Sequence, residues 1–136
     1  MNAEKLWTFP VPSTNIATKV LMTYEGANVV LKFDYFDEED NDKTYNGSVT
    51  FNYVVAFRHS DEKFTKPEYI RSSYDTLIEV RDSNWIKELM DLNREYTNQR
   101  NLRHFAIYLD SYGLYEFIAV RYDFIEKQEG TLKKDE

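Results

Sequence analysis

An amphipathic run that passes straight into a tight hairpin constrains this chain more than any other feature. Ser83 suits a helix N-cap, because its hydroxyl can accept from the exposed amides of a first turn. Trp85, Leu89, Leu92 and Tyr96 follow at i, i+4, i+7 and i+11 and so share one stripe, which Ile86 and Met90 widen. The pattern predicts a helix over Ser83–Asn98. Leu102 to about Phe124 reads as a hairpin turned at Asp110-Ser111-Tyr112-Gly113, with Phe105, Ile107 and Leu109 opposing Leu114–Phe124.

Upstream, the dominant period is two. Val20, Met22 and Tyr24 fall on one face of Ala17–Tyr24, and Glu25-Gly26-Ala27 reads as a turn. Val29, Leu31, Phe33 and Tyr35 share a face of Asn28–Phe36. Asp37–Gly47 reads as a polar connection that closes at Asn46-Gly47. Ser48–Arg58 alternates most cleanly, with Val49, Phe51, Tyr53, Val55 and Phe57 on one face. His59–Ser73 reads as irregular, broken at Pro67, and Tyr74–Arg81 as a further strand. The expected class is α+β: a mainly antiparallel sheet of about six strands with one amphipathic helix before a C-terminal hairpin. A strand, helix, strand order would also suit a right-handed parallel crossover. Residues 1–125 read as one domain, a length that buries a sizeable core, and Glu126–Glu136 as a charged, frayed tail.

Eleven Tyr and nine Phe against four Gly and three Pro favour strands over loops. There is no cysteine, which excludes disulfides and thiolate chemistry. No apolar run follows Met1-Asn2-Ala3-Glu4-Lys5 and none is long enough to span a bilayer, so the expectation is a cytoplasmic chain with no signal peptide and no membrane partner. A net charge of −7 with no basic run longer than Lys133-Lys134 argues against a nucleic-acid partner, since phosphates must be neutralised by clustered Lys and Arg.

Catalytic signals are sparse. The run Asp37-Glu38-Glu39-Asp40-Asn41-Asp42 lacks the glycine and the distant Glu of a calcium loop, and reads as a solvated loop or a docking site for a basic partner. His59 and His104 are the only histidines and lack the i, i+4 spacing of a zinc helix, so no metal and no cofactor is expected. Ser72-Ser73 sits in no nucleophile elbow, and no glycine-rich phosphate loop exists. Phe51, Tyr53 and Phe57 read as core; a cavity among such rings is the other reading.

Phe51-x-x-Val54-x-Ala56-Phe57-Arg58, then Ile78-Glu79-Val80-x-x-Ser83-x-Trp85-Ile86-x-x-Leu89, then His104-Phe105-x-Ile107-Tyr108-x-Asp110-x-x-Gly113-x-Tyr115-Glu116-x-Ile118-Ala119 resemble a group of small uncharacterised bacterial proteins. The resemblance covers a little over half of the chain and implies no established activity. Some small acidic proteins of this kind look like immunity partners of secreted toxins.

Two functions are carried forward. The first is a non-catalytic acidic protein-binding domain, most sharply an immunity protein that neutralises a cationic toxin. Its contact set would be Asp37, Glu38, Glu39, Asp40 and Asp42 with exposed tyrosines, because rim charges steer and buried aromatics anchor. The second is a small-molecule-binding or enzymatic domain built on a polar cluster of His104, Asp110 and Glu116. A free sheet edge would also allow a homodimer.

Overall fold

The strand-forming sequence divides between two antiparallel sheets. A computed structural model describes residues 1–96 and 101–132. The elements run β1 (Ala3–Thr8), β2 (Ile16–Glu25), β3 (Asn28–Asp37), β4 (Lys43–Asn52), β5 (Ala56–Ser60), α1 (Pro67–Ser73), β6 (Thr76–Val80), α2 (Asn84–Leu92), β7 (Arg103–Leu109), β8 (Gly113–Ala119) and β9 (Arg121–Glu129). One sheet has the order β1-β6-β7-β8-β5 and the other β2-β3-β4-β9.

The two faces of β7 and β8 explain the layering. Phe105, Ile107, Leu109, Tyr115 and Phe117 point one way and meet Val29, Leu31, Phe33, Tyr35, Val49 and Phe51 of the second sheet. Phe51 and Phe117 stack across this interface with ring centroids 3.9 Å apart. Ala106, Tyr108 and Leu114 point the other way with Ile78 and Val80, and Tyr69 and Ile70 of α1 cover them. The inner strands β7 and β8 are thus buried on both faces, which is why they read as near-continuous apolar runs.

The class is α+β, with more strands than the six expected. β6, before α2, pairs antiparallel with β7, so the helix bridges antiparallel strands rather than a parallel crossover. Among the described residues there is a second helix, α1, in the stretch expected to be irregular. Pro67 opens it at the first helical turn, where a missing N–H is harmless, rather than breaking it.

Four boundaries also move. The strand expected over 48–58 is two strands in different sheets, because Tyr53 takes a left-handed conformation (φ 53°) and the chain crosses over at residues 53–55. Only Phe51 of the expected aromatic core stripe is buried; Tyr53 and Phe57 are exposed. The turn after β3 falls at Asn41 and Asp42, both with positive φ, not at Asn46-Gly47, which lies inside β4. β9 continues to Glu129, paired with Tyr45, past the expected start of the tail. The helix is shorter than 83–98: Leu92 closes it and is 80% exposed, so the docked residues are Trp85, Ile86, Leu89 and Met90. The Tyr96 side chain, residues 97–98 of the expected helix and 133–136 of the expected tail lie outside the described residues.

Candidate functional site

Pairing of β5, β7 and β8 builds a polar chain on the helix side of the five-stranded sheet, buried at His104 and Glu116 and open to solvent at Arg58. Arg58 stands directly opposite Glu116 across β5 and β8. His104 stands opposite Ile118, which makes it a diagonal neighbour of Glu116 on the same face. Ser83, the N-cap of α2, reaches the imidazole from above.

The hydrogen bonds run without a gap. Ser83 Oγ lies 2.7 Å from His104 Nδ1, and His104 Nε2 lies 2.8 Å from Glu116 Oε1. Arg58 donates from Nε to Glu116 Oε2 at 2.6 Å and from a terminal nitrogen to Oε1 at 3.2 Å. In the neutral imidazole, Nε2–H donates to the carboxylate and Nδ1 accepts from the Ser83 hydroxyl. The Ser83 oxygen accepts in turn from the Ile86 amide at 3.2 Å, closing the first turn of α2. The Arg58 guanidinium lies 3.9 Å from the centroid of the Trp85 ring, and Trp85 sets its edge on His104 at 5.4 Å. This cluster is what docks α2, a helix with no fully buried residue of its own.

Electrostatics favour the charged carboxylate. Burial pushes Glu116 up, but hydrogen bonds from His104 and Arg58 and the Arg58 charge outweigh it and hold the group below its ordinary 4.5. A cleft of about 610 Å³ runs beside the cluster, with Arg58, Tyr69, Ser83, Trp85 and His104 in its wall. Among the described residues no three His, Asp or Glu side chains converge as metal ligands.

Of the polar cluster expected on the hairpin, His104 and Glu116 come together and Asp110 does not. Asp110 lies in the turn just past the end of β7, six residues from His104 and about 20 Å away at strand rise. There it accepts from the Tyr74 hydroxyl at 3.1 Å and from Ser111 at 3.2 Å, and its amide donates to Ser13. His59 lies apart from His104 on β5, against Tyr115, with its Nε2 on the Tyr112 carbonyl. Arg58 and Ser83 complete the cluster and were not singled out with it. Arg58 joins it through the pairing of β5 with β8, across 58 positions, and Ser83 through the docking of the helix that it caps, 21 positions from His104.

The acidic run forms the tip of the β3–β4 hairpin. Asp37 accepts from the Glu39 amide at 3.0 Å, Glu38 accepts from Asn15 at 3.2 Å, and Asp40 accepts from the Tyr45 hydroxyl. That last bond and the Asp40 charge push the Tyr45 phenol up to about 12. Glu39 and Asp42 are exposed and carry no side-chain partner among the described residues. Of the exposed tyrosines, Tyr74 adjoins Asp75, which holds the Ser13–Asn15 turn that also reaches Glu38, whereas Tyr24 and Tyr53 lie elsewhere. Tyr24, Tyr53, Val55 and Phe57 gather at the other end of the four-stranded sheet, with Tyr24 and Phe57 rings 6.1 Å apart. Ten residues of β3 separate the two ends, about 30 Å.

Another buried carboxylate, Asp34 on β3, accepts from the Thr18 amide at 2.8 Å, the Thr18 hydroxyl, the Lys19 amide at 3.2 Å and the Leu132 amide at 3.0 Å. It ties the irregular start of β2 and the end of the described chain to β3.

No protein-family model, no curated protein and no solved structure matches the chain.

Proposed function

We propose that this chain is a non-catalytic, acidic protein-binding domain whose partner is a basic protein, most sharply a cationic bacterial toxin that it neutralises as a cytoplasmic immunity protein. The observation that carries the reading is the stiff presentation of the acidic tip. Asp37 caps the short 3-10 turn, Asn41 and Asp42 hold left-handed conformations, and the Asp42 amide donates to the Asp37 carbonyl at 2.9 Å. Five acids are therefore offered on a pre-shaped loop, which lowers the ordering cost of binding. A net charge of −7 adds a field that attracts a cationic surface. Because the patch of Tyr24, Tyr53 and Phe57 lies at the far end of the sheet, those rings belong to a contact separate from the tip.

The saturation of the polar cluster supports the non-catalytic half of the reading. A serine nucleophile needs a base whose carboxylate partner can stabilise the imidazolium that forms. Here Arg58 already compensates Glu116, and the Ser83 hydroxyl is engaged as a helix cap. The second reading, an enzymatic or small-molecule-binding domain, draws on the 2.7 Å approach of Ser83 Oγ to His104 Nδ1 beside the cleft. Native mass spectrometry of the chain with the protein encoded beside it tests the first reading: a one-to-one complex with a basic, growth-inhibiting protein is expected. A neighbour that is neither basic nor bound overturns it. A small molecule copurifying in the Ser83 cleft favours the second.

A further inference from the structure

A groove of about 460 Å³ opens where the two sheets part, between β1 at the edge of one sheet and β9 at the edge of the other. The Phe33 ring and Gly47 form its floor. Trp7 and Phe124 form its wall, their rings stacked with centroids 6.1 Å apart at 26°. Gly47 keeps the floor low: a Cβ there would stand 3.3 Å from the Phe33 ring. The β4–β9 register also slips between Asn46 and Ser48, so the strand bends at the recess, a common device beside binding sites. Lys127 is the one charged side chain among the described residues that line the groove. Its ammonium stands 4.4 Å from the centroid of the Tyr45 ring and makes no ion pair among the described residues.

We propose that this groove binds a flat aromatic ring that carries a carboxylate. The ring lies over Phe33 and Gly47 against the Trp7–Phe124 wall, and the carboxylate meets Lys127 at the rim. Three observations select this class. The volume is that of a small-molecule site. The apolar lining is largely rings, which favour another ring in offset or edge contact over a branched aliphatic chain. Among the described lining residues the single charge is positive, so it complements an anion. The proposal does not rest on the protein-binding reading, although Tyr45, over which Lys127 sits, also donates to Asp40 of the acidic tip.

The experiment is calorimetric titration of the full chain with two probes, 2-naphthoate and the uncharged 2-naphthol, at neutral pH. Both probes are expected to bind saturably at one site, with naphthoate the tighter. Phe124→Ser removes an exposed wall and should weaken both by about fivefold. Lys127→Ala should weaken naphthoate by about threefold and leave naphthol unchanged, as loss of one exposed ion pair does. Gly47→Val should abolish both by filling the floor, and the Phe124 variant carries the test if Gly47→Val does not fold. Phe64→Ser, at an exposed ring near the opposite edge of the sheet, should change neither. Absence of saturable binding overturns the proposal. So does unchanged affinity in Phe124→Ser, or an equal effect of Lys127→Ala on both probes.

Discussion

The His104 imidazole and the Glu116 carboxylate lie 2.8 Å apart on neighbouring strands, with side chains only 1% and 3% exposed. Between them and Ser83 they connect a helix that has no buried residue to strands β7 and β8, which are buried on both faces. Glu116→Gln keeps one acceptor for His104 but leaves Arg58 without its anion. The expected loss is about 1–3 kcal/mol of stability, read as a shift in urea midpoint. An unchanged midpoint would mean that the cluster does not dock α2.

Acid sensitivity follows from two carboxylates. Burial raises Asp34 and Glu116, but their hydrogen bonds prevail and hold both below the ordinary 3.8 and 4.5. A depressed folded-state value means that the stabilisation is complete above those ordinary values and is lost as pH falls through the lower folded ones. Stability should therefore be level from pH 7 to about 5 and fall steeply below about 4. Asp34→Asn and Glu116→Gln, each less stable at pH 7, should show a shallower fall, measured as urea midpoints at pH 7, 4.5 and 3. A slope identical to wild type in both variants contradicts the assignment.

Helix α2 and the inter-sheet core should respond differently to truncation. Leu89 is only half buried, so Leu89→Ala should cost about 1 kcal/mol, against about 3–5 for Phe117→Ala in the stacked pair with Phe51. Equal costs would place α2 in the core. The contrast is read from chemical denaturation of the two variants side by side.

Tyr53 holds φ at 53° while its ring is 49% exposed. A bulky residue in the left-handed region carries strain of about 1 kcal/mol that Asn relieves. Tyr53→Asn should raise stability by about 0.5–1 kcal/mol in thermal or urea unfolding. A loss instead would show that the ring, with Arg121 6.0 Å from its centroid, contributes more than the strain costs.

These residues also show what the sequence discloses. Strands β2 and β3 were legible because Val20 and Met22, then Val29, Leu31, Phe33 and Tyr35, alternate against a single core, and the Ser83 cap was legible from its hydroxyl and the stripe behind it. Tyr53 hid the crossover, since nothing local in Ser48–Arg58 interrupts the period and the left-handed residue is neither Gly nor Asn. Asn46-Gly47 resembled a turn because its composition suits one, yet Gly47 serves as space beside Phe33. Pro67 read as a breaker although the first turn of a helix tolerates it. His104 and Glu116 were named from their place on one hairpin, whereas Arg58 and Ser83 join them only through long-range pairing. Asp110 shares the hairpin but lies at its turn, and proximity in sequence misplaced it.

The most direct measurement is stopped-flow association between this chain and a candidate basic partner protein, at low and ordinary ionic strength. The informative variant is Glu39→Gln with Asp42→Asn, because these two acids are exposed and have no side-chain partner among the described residues, while Asp37, Glu38 and Asp40 shape the loop. The account predicts unchanged stability, slower association at low salt, and a weaker salt dependence than wild type, since exposed charges act through a field screened within about 8–10 Å at ordinary ionic strength. Association at the same rate and with the same salt dependence in both proteins would contradict the claim that the acidic tip steers a cationic partner.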